Sequence, residues 1–200
     1  MEDLAVIILA GGESRRMEQA KAFLKFDKTK TFVEKIIDTY VKAGINKIIL
    51  VINAFAIHSE NEIIASHLDK KITIIYNRNP EKGRLYSLNL GLAEMNKSKG
   101  CFIQNIDNPF VSSRLLKKMI PLIKTDSYVS PTFNKRGGHP ILISKSICDT
   151  ISTNDDSSIT LRDKLEKFTR IVMPANEQVL ININTVEEYT KYFSKNASDK

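Results

Sequence analysis

The chain has 200 residues, 42% of them hydrophobic and 26% charged, which excludes disordered, collagen-like and fibrous classes and is enough for one well-packed domain. Its 30 lysines and arginines against 23 acids give a net charge of +7, favouring anionic partners; the basic residues are scattered, without runs or interleaved aromatics, so no nucleic acid is expected. The two cysteines, Cys101 and Cys148, are far apart in sequence, which excludes a disulfide framework and points to a reducing cytoplasm.

In chain order, Leu4–Ala10 is a continuous apolar run without alternation, as expected for a strand covered on both faces. It is far shorter than the roughly 20 residues that cross a bilayer, and it follows Glu2 and Asp3 rather than a basic start. Neither a membrane span nor a secretory signal is therefore expected. Residues 31–43 carry Phe32, Val33, Ile36, Ile37, Tyr40 and Val41 at helical spacing, and Gly44 closes that helix. Strands are expected at 47–52 and 71–76, with a helix at 56–68 between them. Asn-Pro and Lys-Gly mark 77–83 as a loop, followed by a helix at 85–95 and a strand at 100–106. Ser112 opens a further helix that Pro121 shortens. The rhythm then changes: 126–131, 134–138 and 139–144 read as a β-hairpin arm. Helices follow at 145–151, 159–168 and 185–193, and 194–200 reads as a frayed tail. The alternation of strands and helices predicts one α/β domain over 1–193, with a mostly parallel sheet between two helical layers.

Ligands in such a sheet bind beyond the carboxyl ends of the strands. After the first strand the chain reads Leu9-Ala10-Gly11-Gly12-Glu13-Ser14-Arg15-Arg16-Met17, with Lys21 four residues on. Two glycines, a hydroxyl and three cations suit a polyphosphate, although a plain βα turn with surface arginines has the same composition. It is not a Walker A loop, and no Gly-x-Gly-x-x-Gly occurs. Asp107, in Gln104-Asn-Ile-Asp-Asn-Pro-Phe110, falls just past a strand end, where one carboxylate plus substrate phosphates could hold Mg²⁺; a turn aspartate is the alternative. His58 and His67 match no zinc spacing, and Asp155-Asp156 reads as a loop pair.

Together these pieces resemble the nucleotidyltransferases of molybdenum cofactor biosynthesis, which include cytidylyltransferases and guanylyltransferases. Leu9 to Met17 with Lys21 follows the opening motif of that family, except that Glu18 stands where the family has glycine. Asp107-Asn108-Pro109 is similar to its Asp-x-Pro motif, and Gly83 to Leu88 to its Gly-x-x-x-Ser-Leu segment. Gly138-His139-Pro140 and Asn182-Ile-Asn-Thr185 resemble its later elements. The resemblance implies a three-layer α/β/α Rossmann-like fold of the nucleotide-diphospho-sugar transferase type with a short β-arm. It also implies transfer of NMP from an NTP to a phosphorylated small-molecule acceptor, with molybdopterin or its molybdenum cofactor as that acceptor. Leu9, Ala10, Gly11, Gly12, Ser14, Arg16 and Lys21 would hold the nucleotide, together with Asn79, Gly83 and Ser87. Lys21, Arg16 and Asp107 would be catalytic, Asp107 would hold Mg²⁺, and Arg136 and His139 would border the acceptor. Gly11 is guanylyltransferase-like, whereas the Gly83 to Leu88 and Gly138 to Pro140 elements are cytidylyltransferase-like, so CTP is favoured over GTP. A molybdoenzyme or its chaperone is the protein partner this implies. A sugar-phosphate or polyol-phosphate acceptor, and a non-catalytic nucleotide-binding protein, are the alternatives.

Overall fold

Strand β1 (Leu4–Ala10) is buried along its whole length, as its unbroken apolar sequence requires. β2 (Lys47–Asn53) pairs with it in parallel, and β3 (Thr73–Asn77) adds in parallel to β2. The chain then returns to lay β4 (Gly100–Asn105) on the free side of β1, so that Ile7 stands between Ile49 and Ile103. This return is a topological switch point: the connections leaving β1 and β4 part and open a crevice at the carboxyl ends of the strands. The computed structural model describes residues 3–12, 17, 20–56, 68, 72–95, 98–152 and 159–193.

Beyond β4 the sheet continues through β5 (Ser127–Phe133), β6 (Arg136–Gly137) and β7 (Ile141–Ser144) in the spatial order β4-β7-β5-β6. β7 runs antiparallel to both β4 and β5. Much of the arm expected over 126–144 is thus part of the main sheet. All four residues of β7 are buried, three of them aliphatic, and a projecting arm would leave them in water. Only its tip is a tight hairpin, in which Asn134 and Lys135 take positive φ of 48° and 63°, the backbone of a type I′ turn. A last strand, β8 (Thr169–Pro174), pairs in parallel with β5 and was not expected from the sequence.

Helices cover both faces. On one face α1 (Phe32–Ala43) sets Phe32, Ile36 and Tyr40 against Val6, Ile8 and Phe102. Thr31 and Glu34 form its capping box and Gly44, at φ 89°, its left-handed C-cap. On the other face α2 (Gly83–Ala93) brings Leu88 and Leu92 onto Ile7, Val51 and Ile103. α3 (Ser113–Met119) starts at Ser112, whose side chain accepts from the Leu115 amide, and it gives way to a 3₁₀ turn at Pro121. α4 (Lys145–Ser152) packs with α2, whereas the helix expected over 159–168 shortens to α5 (Leu161–Leu165).

α6 (Val186–Phe193) is docked by aromatic rings: Phe193 lies 5.2 Å from Phe32, 5.0 Å from Tyr189, 5.5 Å from Phe26 and 5.6 Å from Phe110, centroid to centroid. Its docking holds the preceding Asn182–Thr185 stretch against the loop after β4, where the Ile183 amide donates to the Asp107 carbonyl at 2.7 Å. Most of the helix expected over 56–68, both His58 and His67, Asp155-Asp156 and the tail 194–200 lie outside the described residues. Among the described residues, no helix is long and apolar enough to cross a membrane.

Candidate active site

The crevice at the switch point is a cavity of about 230 Å³. The end of β1 contributes Leu9, Ala10, Gly11 and Gly12. The end of β4 contributes Asn105, Ile106 and Asp107, and the first turn of α2 contributes Gly83, Arg84 and Ser87. Lys21 enters on a short 3₁₀ turn (Lys21–Phe23). The two strand ends are tied by the Ile106 amide, which donates to the Leu9 carbonyl at 3.1 Å.

The two glycines serve different purposes. A Cβ on Gly12 would meet nothing within 4 Å, so its backbone faces open space. A Cβ on Gly11 would sit 2.7 Å from the Ser87 hydroxyl, so glycine is what lets α2 approach the strand end. Ser87 accepts from Asn77 Nδ2 at 3.0 Å and donates to the Gly83 carbonyl at 3.3 Å. Its hydroxyl therefore braces the β3–α2 connection as it lines the cavity. Asn79 shapes the same connection: its amide donates to Asn77 Oδ1 at 2.8 Å and its side chain to Tyr86, and it does not line the crevice.

Asp107 is the acidic centre. Burial raises its pKa above the ordinary carboxylate value, and the nearby Lys21 and Arg84 cations pull in the opposite direction. Its Oδ1 is buried, with no hydrogen-bond partner among the described residues. Such an oxygen is costly unless something cationic or protic reaches it. Asn182 Oδ1 is likewise buried without a partner among the described residues, but Asn182 lines a different groove from Asp107. A carboxylate oxygen at the position of Asp107 suits a Mg²⁺ ion that completes its shell with water and phosphate oxygens. Among the described residues no group of three or more His, Cys, Asp or Glu could cage a metal unaided.

Lys21 Nζ donates to Asn184 Oδ1 at 2.6 Å. Asn184 is held in turn, because its amide and that of Thr185 donate to Glu188 Oε2 at 2.6 and 3.1 Å. In the fold Asn184 is a neutral acceptor for Lys21. Ser14, Arg16 and the divergent Glu18 lie outside the described residues.

Arg84 was not singled out from the sequence. It sits three residues before Ser87, on the same face of α2, and its guanidinium donates to Asn105 Oδ1 at 2.5 Å. Arg136 and His139, expected together, are parted. Arg136 lies on a separate groove with Asn182, Glu188 and Lys191. His139 lines another cavity with Asn108, Phe110 and Val179. Burial, and then the Arg84 cation, lower the His139 pKa to about 4, so it is a neutral imidazole at pH 7 and brings no charge to an anionic substrate.

The family model for the MobA-like NTP transferase domain matches residues 6–189. The chain belongs to that family. Nucleotidyl transfer is the activity of the family. The chain is 27% identical over 198 residues to the molybdenum cofactor cytidylyltransferase of Escherichia coli strain K12, covering 94% of this chain and 95% of that one. It is 26% identical over 194 residues to the probable molybdenum cofactor guanylyltransferase of Flavobacterium johnsoniae, again covering 94% and 95%. A solved nucleotidyl transferase from Methanothermobacter thermautotroptrophicus superimposes over 100% of both chains with a TM-score of 0.78 at 15% identity, a likeness of fold.

Proposed function

We propose that this domain transfers a nucleoside monophosphate from an NTP to the phosphate of a small acceptor, releasing pyrophosphate, with CTP as the nucleotide and a molybdopterin-type phosphate as the acceptor. The observation that carries it is the convergence of Lys21 and Arg84 on a partly desolvated Asp107 beyond β1 and β4. The glycine backbone after β1 and Lys21 would receive the triphosphate. Asp107 would hold Mg²⁺, which when bound supplies positive charge to the phosphates. Arg84 would take the acceptor phosphate, since a planar guanidinium suits two phosphate oxygens at once. The acceptor oxygen attacks the α-phosphorus, the new P–O bond forms as the α–β anhydride bond breaks, and the charge leaves on pyrophosphate.

An acceptor phosphate is already anionic at neutral pH, so alignment and charge neutralisation suffice and no strong general base is required. A neutral His139 outside the crevice fits that economy. The choice of CTP is supported by the Gly83 to Leu88 and Gly138 to Pro140 elements and by the cytidylyltransferase relative that spans the chain. Gly11 pulls toward GTP in motif terms, yet its contact with Ser87 already gives a packing reason for glycine there.

Thermal unfolding with each of the four NTPs and Mg²⁺ tests the nucleotide assignment. A ligand at about 100 times its dissociation constant adds about 2.7 kcal/mol, or about 5–10 °C for a domain of this size. CTP is expected to give the largest shift. A larger shift with GTP overturns the choice of base, and no shift with any NTP overturns nucleotide binding at the crevice.

A further inference from the structure

Gln104 is a polar residue where the sheet asks for an apolar one. It lies on β4 at 0% exposure, opposite Ile8 in register and on the face that carries Phe102. A leucine there would bury apolar surface with no polar group to satisfy. The amide is nevertheless fully used. Nε2 donates to the Asn105 carbonyl at 2.7 Å and to the Asn108 carbonyl at 2.9 Å. Oε1 accepts from the hydroxyl of Tyr40, itself at 0% exposure on α1, at 3.1 Å. Both carbonyls belong to the turn that bears Asp107. That turn is clasped from the other side as well, where Asn108 Nδ2 donates to the Ile181 and Gln178 carbonyls at 2.6 and 3.2 Å.

Asn108 Oδ1 is buried without a partner among the described residues, but the Gln104 amide is paired at both ends, and a buried network of this kind holds one geometry at the expense of apolar packing. Here the geometry so held is the exit of β4, the place where the Asp107 carboxylate meets Lys21 and Arg84.

We propose that Gln104, with Tyr40 behind it, is a positioning residue that fixes the 105–108 turn so that Asp107 presents its carboxylate to a divalent cation. The proposal rests on the reading of Asp107 as the metal carboxylate. Gln104 touches no substrate; it acts through the turn. Residues that orient a metal ligand in this way are worth about 10–100-fold in metal affinity.

The test is titration with Mn²⁺ alone, followed by water-proton relaxation, on the full chain, with thermal unfolding alongside. Asp107→Ala is expected to abolish Mn²⁺ binding. Tyr40→Phe/Gln104→Met removes the clasp with apolar groups of similar shape, but it leaves the Asn105 and Asn108 carbonyls without the Gln104 amide, so some loss of stability accompanies it. This double variant is expected to melt lower than wild type and, titrated well below its melting temperature, to lose about 10–100-fold in Mn²⁺ affinity. Gln104→Asn, which keeps a buried amide but withdraws it by one methylene, is expected to show the same loss if the double variant does not fold. Tyr40→Phe alone leaves both carbonyl bonds in place and is expected to bind Mn²⁺ nearly as wild type does. Unchanged Mn²⁺ affinity in the folded double variant or in Gln104→Asn, with binding lost in Asp107→Ala, overturns the clasp alone. Binding that survives in Asp107→Ala, or that is absent from the wild-type chain, overturns the metal seat and the clasp with it.

Discussion

Asp107→Ala is expected to lose about 10²-fold or more in turnover while the fold survives, because it removes the carboxylate on which the charge stabilisation of the crevice is built. Survival of the fold follows from its position: the residue is half-buried on a loop, and its one structural bond, from the Ile183 amide, is made by its backbone carbonyl. Asp107→Asn sharpens the expectation through pH. Burial raises the folded-state pKa of Asp107 above the ordinary 3.8 of an unfolded chain. Between those two values the native state holds more protons than the unfolded one, so this residue's contribution falls as pH rises through that window. Above the window the charged carboxylate remains a net cost. Asp107→Asn is therefore expected to match or exceed the wild-type melting temperature at neutral pH while losing turnover, as is usual where a site is strained for function. Circular dichroism melts and pyrophosphate release on the same samples check both halves. A lowered melting temperature with normal turnover would make Asp107 a turn residue and nothing more.

Lys21→Ala is expected to cost a similar factor, about 10²-fold, since it removes a cation aimed at the same developing charge. The two losses should not multiply in the double variant, because both residues act on one phosphate cluster. Asn184→Ala leaves the charge of Lys21 but removes the acceptor that orients its ammonium at 2.6 Å. It should therefore lose less than Lys21→Ala, and most of the loss should appear in kcat. If Lys21→Ala retains turnover within a few-fold of wild type, the triphosphate is held elsewhere.

The sheet and its crevice were legible because buried parallel strands carry unbroken apolar runs and helices carry caps. Leu4–Ala10 has no position that could face water, and Thr31, Glu34 and Gly44 mark both ends of α1. β8 carries no such signal. Its burial runs exposed, exposed, intermediate, exposed, buried, exposed, and what makes it a strand is parallel pairing with β5 some 40 residues earlier. Arg84 escaped notice for a related reason: its meaning comes from facing the end of β4, which no local spacing encodes. Arg136 and His139 show the converse. They are three residues apart in the chain, yet one rides the exposed two-residue strand β6 and the other lines a cavity with Asn108. The cysteines follow the same logic. Far apart in sequence, they are brought by β4 and α4 to an Sγ–Sγ distance of 3.9 Å as buried free thiols, where burial pushes the Cys101 thiol well up.

The most direct test of nucleotidyl transfer at this crevice is to follow the label from CTP carrying radioactive phosphorus at either the α or the γ position, with Mg²⁺ and molybdopterin as acceptor. Transfer through attack at the α-phosphorus predicts that α-label appears on the acceptor and γ-label in pyrophosphate, in equal amounts, and that both vanish in Asp107→Ala. Appearance of γ-label on the acceptor, or of free phosphate in place of pyrophosphate, would contradict the account.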